Sequence, residues 1–310
     1  MTAIIRKHPA ASYFILAFAL SWGGVFAVIG RGPIPAPPRE ADRLFPFVYL
    51  AMLVGPPVAG LLMTAIVAGK PGLRAFGKRL STWRVGARWY AVALLTAPLA
   101  LTLALLALSP ASPEYRPAFL GTASALGPIR AGSVASFLLF GLAVGIGAGF
   151  CEELGWTGFA LPHLRSTRGT LAAALIVGVL WGAWHFLVVL WGSDKAFASV
   201  SVSLFMVVAL FSFLPPYRVL MAWVYDRTGS LLIAVLMHAS LTTSMVLLAP
   251  PVAGSGAVVY DLVFGAALWV LVGIGALWSR QWTVYQVMPT RSGAQATRPL
   301  AKESTQMPQI

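Results

Sequence analysis

Residues 134–164 read VASFLLFGLAVGIGAGFCEELGWTGFALPHL. From Val134 to Phe150 there is no charge, and the run then reaches two adjacent acids, Glu152 and Glu153. Carried on to Trp156, the segment is long enough to cross a bilayer, which takes about 20 apolar residues. Carboxylates inside such a segment cost roughly 2.5 to 3.5 kcal/mol each on insertion scales, so a pair of them marks a functional position by default.

The rest of the chain agrees with a membrane reading. Of 310 residues, 58% are hydrophobic and 10% charged, with a mean hydropathy of +0.81; a soluble domain carries about a quarter charged residues. The formal net charge of +13 does not indicate nucleic acid, because the basic residues sit at the ends of apolar runs. A single cysteine, Cys151, allows no internal disulfide. By its direction on the helix it reads as a small apolar residue rather than a nucleophile.

Apolar runs at 12–30, 44–69, 89–109, 134–156, 170–192, 199–215, 230–249 and 257–278 predict an all-α polytopic bundle of about eight transmembrane helices. The bundle is expected over 1–290, with a disordered cytoplasmic tail over 291–310. The N-terminal run reads as an uncleaved first span. Pro215 and Pro216 predict the end of the sixth helix. The segment Lys70 to Arg88 mixes six basic residues with Leu73, Phe76, Leu80, Trp83 and Val85, a composition suited to an anionic lipid surface. Placing both termini in the cytoplasm puts sixteen of the 22 Lys and Arg residues on that side, as the positive-inside rule favours. The expected location is a bacterial inner membrane.

Four ionisable residues read as lying within spans: Glu152, Glu153, His185 and His238. From the rise of 1.5 Å per residue they lie about 12 to 22 Å from the cytoplasmic end, on three different helices. Residues four apart share a face, so Glu152 goes with Trp156, Trp181 with His185, and His238 with Thr242. Glu153 points about 100° away from Glu152 and is expected to support it. Trp156, Trp181 and Trp184 are expected to wall the site. His163, beside Arg165 and Arg168, reads as an interfacial residue.

The stretches EELGWTGFALPHL, WGAWH and HASLT resemble three successive motifs of the CPBP family, the CAAX prenyl endopeptidases with their bacteriocin-processing and immunity relatives. The resemblance covers about 134–249. Where that pattern has Arg this chain has Thr157, and where it has Asn this chain has Thr242. The first departure removes a cation that could hold Glu153 ionised; the second replaces an amide donor with a hydroxyl.

The resemblance implies an intramembrane endopeptidase in which Glu152 is the general base, His185 shares the water, and His238 with Thr242 faces the oxyanion. A zinc version would use Glu152, His185 and His238 as ligands and Glu153 as base. The absence of an HExxH helix favours the metal-free form and no cofactor. Expected partners are membrane lipids and a membrane-associated peptide or protein substrate, without nucleic acid. Two other classes remain open: a proton-coupled carrier, against which the lack of a repeat counts, and a catalytically weak membrane scaffold.

Overall fold

The computed structural model describes residues 2–116, 134–193 and 200–278; the expected tail at 291–310 lies outside them. A short helix α1 (Thr2–Lys7) leads into α2 (Pro9–Ile29), α3 (Pro38–Leu80) and α4 (Ala87–Leu108). The second half contains α5 (Val134–Gly155), α6 (Leu161–Arg168), α7 (Thr170–Trp191), α8 (Val202–Phe211), α9 (Leu214–Thr228), α10 (Leu231–Leu248) and α11 (Ser255–Trp278). Among the described residues, eight helical stretches are long and apolar enough to cross a membrane. The protein is an integral membrane helical bundle.

Helix α4 shows why lipid rather than water surrounds it. Its inward face is Ala93, Ala97, Ala100 and Ala104, all buried, while Leu95, Leu99, Leu103 and Leu106 are exposed. In water that arrangement would be inside out. In a bilayer there is no hydrophobic gain from turning leucines inward, and small residues let helix backbones pack closely.

The same rule brings α5 and α10 together. A methyl group at Gly149 would lie 2.6 Å from the Val235 carbonyl oxygen and 2.8 Å from the Ala239 nitrogen, so only a residue without Cβ fits this crossing. Gly149 precedes the acid pair by one turn, and Ala239 follows His238; the crossing therefore sets the acids against the imidazole. On the other side of the site, a methyl at Gly178 of α7 would lie 2.7 Å from Pro215 Cα and 3.2 Å from Arg218 Cβ. Helices α7 and α9 are thus equally close.

Two expectations change. Pro215 and Pro216 do not end a helix; they occupy the first turn of α9, where the missing N–H costs nothing because that group has no helical partner anyway. The sixth crossing is consequently a broken one, 202–228, and Arg218 becomes a buried helical residue instead of a loop cation. Asp261, half-buried in α11, is a further acid within a span. The basic segment after Lys70 is largely helical: α3 turns at Gly69, whose φ of 61° suits glycine, and continues to Leu80. Its Phe76 is buried and Arg79 donates to the Gly158 carbonyl and the Tyr225 hydroxyl, each at 2.8 Å.

Replacing Gly149 with Ala is expected to lower stability by about 1–3 kcal/mol, the usual cost of overpacking. Gly147→Ala, whose nearest new neighbour would be the Tyr49 hydroxyl at 3.4 Å, is expected to leave the unfolding midpoint in detergent unchanged.

Candidate active site

Helix α5 does not stop at the acids. It widens into a π-helical turn, Trp156–Ala160, before α6; such turns are rare and concentrate at functional sites. Glu152 and Glu153 stand just before this turn, 3% and 0% exposed.

The two neighbours have different surroundings. Glu152 Oε2 accepts the indole N–H of Trp181 at 2.7 Å and that of Trp156 at 3.2 Å. Its other oxygen, Oε1, faces His238 Nε2 at 3.9 Å, beyond hydrogen-bonding distance. Glu153 is fully engaged: Arg218 Nη1 donates to Oε2 and Nη2 to Oε1, both at 2.8 Å. The Thr157 hydroxyl also donates to Oε2, and His238 Nδ1 lies 2.7 Å from Oε1. Facing a carboxylate oxygen, Nδ1 is the protonated nitrogen.

Arg218 is wholly buried. Its guanidinium makes the two-pronged pair with Glu153, lies 4.5 Å from the Trp181 ring centroid and donates to the Thr157 hydroxyl at 3.3 Å. The counter-charge that Thr157 cannot give Glu153 is therefore present, but it comes from α9, and the threonine adds a hydrogen bond where an arginine would have crowded it. A signal for it existed: read as a helix beginning at its prolines, LPPYRVLMAWVYDRT sets Arg218 among apolar residues, well before the polar end at Asp226 and Arg227, as a charge in need of an acid.

The structure gathers Glu152, Glu153, Trp156, Trp181 and His238 into direct contact. The Trp181 ring meets His238 edge-on at 4.9 Å, and Trp184 meets Trp156 at 5.6 Å and His185 at 4.8 Å. His185 is half-buried, with Nδ1 2.9 Å from the Trp181 carbonyl oxygen; that nitrogen donates, leaving Nε2 as acceptor. Thr242 lies half-buried one turn beyond His238, whereas the adjacent Thr243 donates to the Gly141 carbonyl in the α5 contact. Cys151 is half-buried against the apolar core. His163 stacks on Phe159 and lies 2.8 Å from the carbonyl of that residue.

The donor set does not suit the zinc alternative. Both oxygens of Glu153 are committed to Arg218, Thr157 and His238, so it cannot serve as a free base. No group of three or more His, Cys, Asp or Glu side chains among the described residues is arranged to hold a metal ion. As arranged here, Glu152, His185 and His238 are not gathered into a three-ligand centre.

The family model described as Type II CAAX prenyl endopeptidase Rce1-like matches residues 134–244. The matched segment is similar to that family. It contains every side chain of the cluster, Glu152, Glu153, Trp156, Thr157, Trp181, Arg218 and His238, together with His185 and Thr242. Over 99 residues, 32% of the chain, it is 25% identical to CAAX prenyl protease 2 of Methanococcus maripaludis. The alignment spans 36% of that relative.

Trp181→Phe keeps the ring beside His238 and Arg218 but removes the shorter hydrogen bond to Glu152. Bonds to charged groups contribute about 1.5–3 kcal/mol; a loss of that size in unfolding free energy is expected, measured by denaturation in detergent.

Proposed function

We propose that the protein is a glutamate-dependent intramembrane endopeptidase of the CAAX-protease type. The observation that carries this reading is the unequal treatment of two adjacent acids: Glu153 is saturated with donors, while Glu152 keeps Oε1 free and aimed across 3.9 Å at His238 Nε2. That separation is too long for a direct bond and suits one bridging oxygen atom, such as a water before reaction.

In the proposed reaction the water oxygen attacks the scissile carbonyl carbon and gives one proton to Glu152 Oε1. The carbonyl π pair moves onto its oxygen. Two carboxylates face one guanidinium here, so His238 is the group able to balance the second negative charge. In its imidazolium form Nδ1–H stays on Glu153 and Nε2–H donates to the oxyanion; the Thr242 hydroxyl, one turn further along α10, is the proposed second donor. Collapse reforms the carbonyl and breaks the C–N bond. The amine leaves with the proton taken by Glu152, relayed by His185.

Lipid and a membrane-associated peptide are the proposed partners, and both termini are proposed to face the cytoplasm of a bacterial inner membrane. The orientation is supported by a basic end of the bundle. There Arg6 donates to the Ile66 carbonyl, Arg79 to Tyr225, and Arg165 pairs with Asp226.

Purified protein in liposomes is expected to cleave a fluorescence-quenched peptide ending in a prenylcysteine and three further residues, or its unprenylated counterpart. A carrier or a scaffold would leave both intact. Glu152→Gln preserves shape and should lower kcat by about 10²–10⁴-fold with KM little changed, the range for loss of a general base; near-normal turnover would refute the assignment. Cleavage is further expected to resist chelators. Loss of activity on chelation, restored by a stoichiometric metal ion, would replace the proposed chemistry.

A further inference from the structure

Of the basic side chains already placed, Arg79 and Arg165 are bound to partners away from the acids. Arg218 instead forms a fork with Glu153, and the fork continues. Glu153 Oε1, held by Nη2, is the same oxygen that accepts His238 Nδ1. Guanidinium, carboxylate and imidazole are therefore linked in series across α9, α5 and α10, and the far end of the series is Nε2, facing Glu152.

We infer that Arg218 is a positioning residue which, through Glu153, fixes the aim of His238, holding Nδ1–H on Glu153 and turning Nε2 toward Glu152. This deepens, and rests on, the endopeptidase reading. A purely stabilising role accounts poorly for the pair. Among the described residues Arg218 Nε is buried without a hydrogen-bond partner, and buried ion pairs are commonly no more stabilising than apolar residues of the same volume. The fork does, however, remove rotational freedom from the Glu153 carboxylate, because two parallel N–H···O bonds fix its plane as well as its distance. Without it, Glu153 would be free to swing, and His238 would face an anion with no cation behind it. Thr157 lies against both members of the pair. The position is thus close enough to Glu153 for a longer cationic side chain to replace the fork if Arg218 were removed.

The test compares R218T, T157R and the exchanged double variant, which moves the guanidinium from α9 to the π-helical turn after α5 at constant composition. In R218T, kcat on the quenched peptides should fall by about 100-fold with KM nearly unchanged, as for misplacement of a reacting group. The exchanged variant should recover to within about tenfold of wild type. An independent readout uses 15N-labelled histidine, of which the chain has four. The carboxylate-bonded Nδ1 proton of His238, assigned by its loss in H238Q, should be present in wild type, absent in R218T and restored by the exchange. If R218T does not fold, R218M fills the same space without charge and takes its place. A folded R218T or R218M that retains both the His238 signal and kcat overturns the inference, as does a folded exchanged variant that regains neither. If wild type cleaves neither peptide while the His238 signal follows the guanidinium, the hydrolytic reading falls and the coupling stands. Cleavage with a signal indifferent to the guanidinium leaves the hydrolytic reading in place and overturns the coupling.

Discussion

A carboxylate buried without water needs a cation close to it, and in this protein the need is met by Arg218 reaching Glu153 from another helix. Leaving either charge alone in the interior would cost several kcal/mol, so the relative placement of α5 and α9 is tightly constrained. Helix α10 joins them because His238 shares an oxygen with the arginine. The close crossings at Gly149 and Gly178 are what allow these helices to approach until the bonds close at 2.7–2.8 Å. Packing and electrostatics therefore specify one arrangement together.

Much of the bundle is legible in the sequence because lipid imposes a length and a polarity that local composition must satisfy. Val134 to Phe150 reads as a crossing with no knowledge of its neighbours. The sixth crossing does not, since a Pro-Pro pair is compatible with either end of a helix, and the deciding fact is the turn at Ser212–Phe213 that sets the prolines at the start of α9. Asp261 escapes a sequence reading for a different reason: it lies close to the start of α11, where an acid reads as a flanking residue.

The site divides in the same manner. Contacts within one helix follow from the 3.6-residue period, and Trp156 bonding Glu152 or His185 bonding the Trp181 carbonyl are of that kind. The bond from Trp181 to Glu152 crosses between α5 and α7, and helical spacing carries no information about which faces of two helices will meet. The threonine at 157 shows the limit best. Judged on its own helix it leaves Glu153 without a counter-charge, yet the guanidinium that supplies it belongs to a residue 61 positions later.

That distance along the chain has a consequence for biosynthesis. Glu153 and Arg218 are separated by 65 residues, so the acid-bearing segment emerges from the ribosome and is offered to the bilayer well before its counter-ion has been made. Until α9 arrives, the two carboxylates depend on surface water or on the insertion machinery for solvation, and the segment cannot settle at its final depth as an independent unit. The fork between Glu153 and Arg218 can accordingly close only once the sixth crossing is in place.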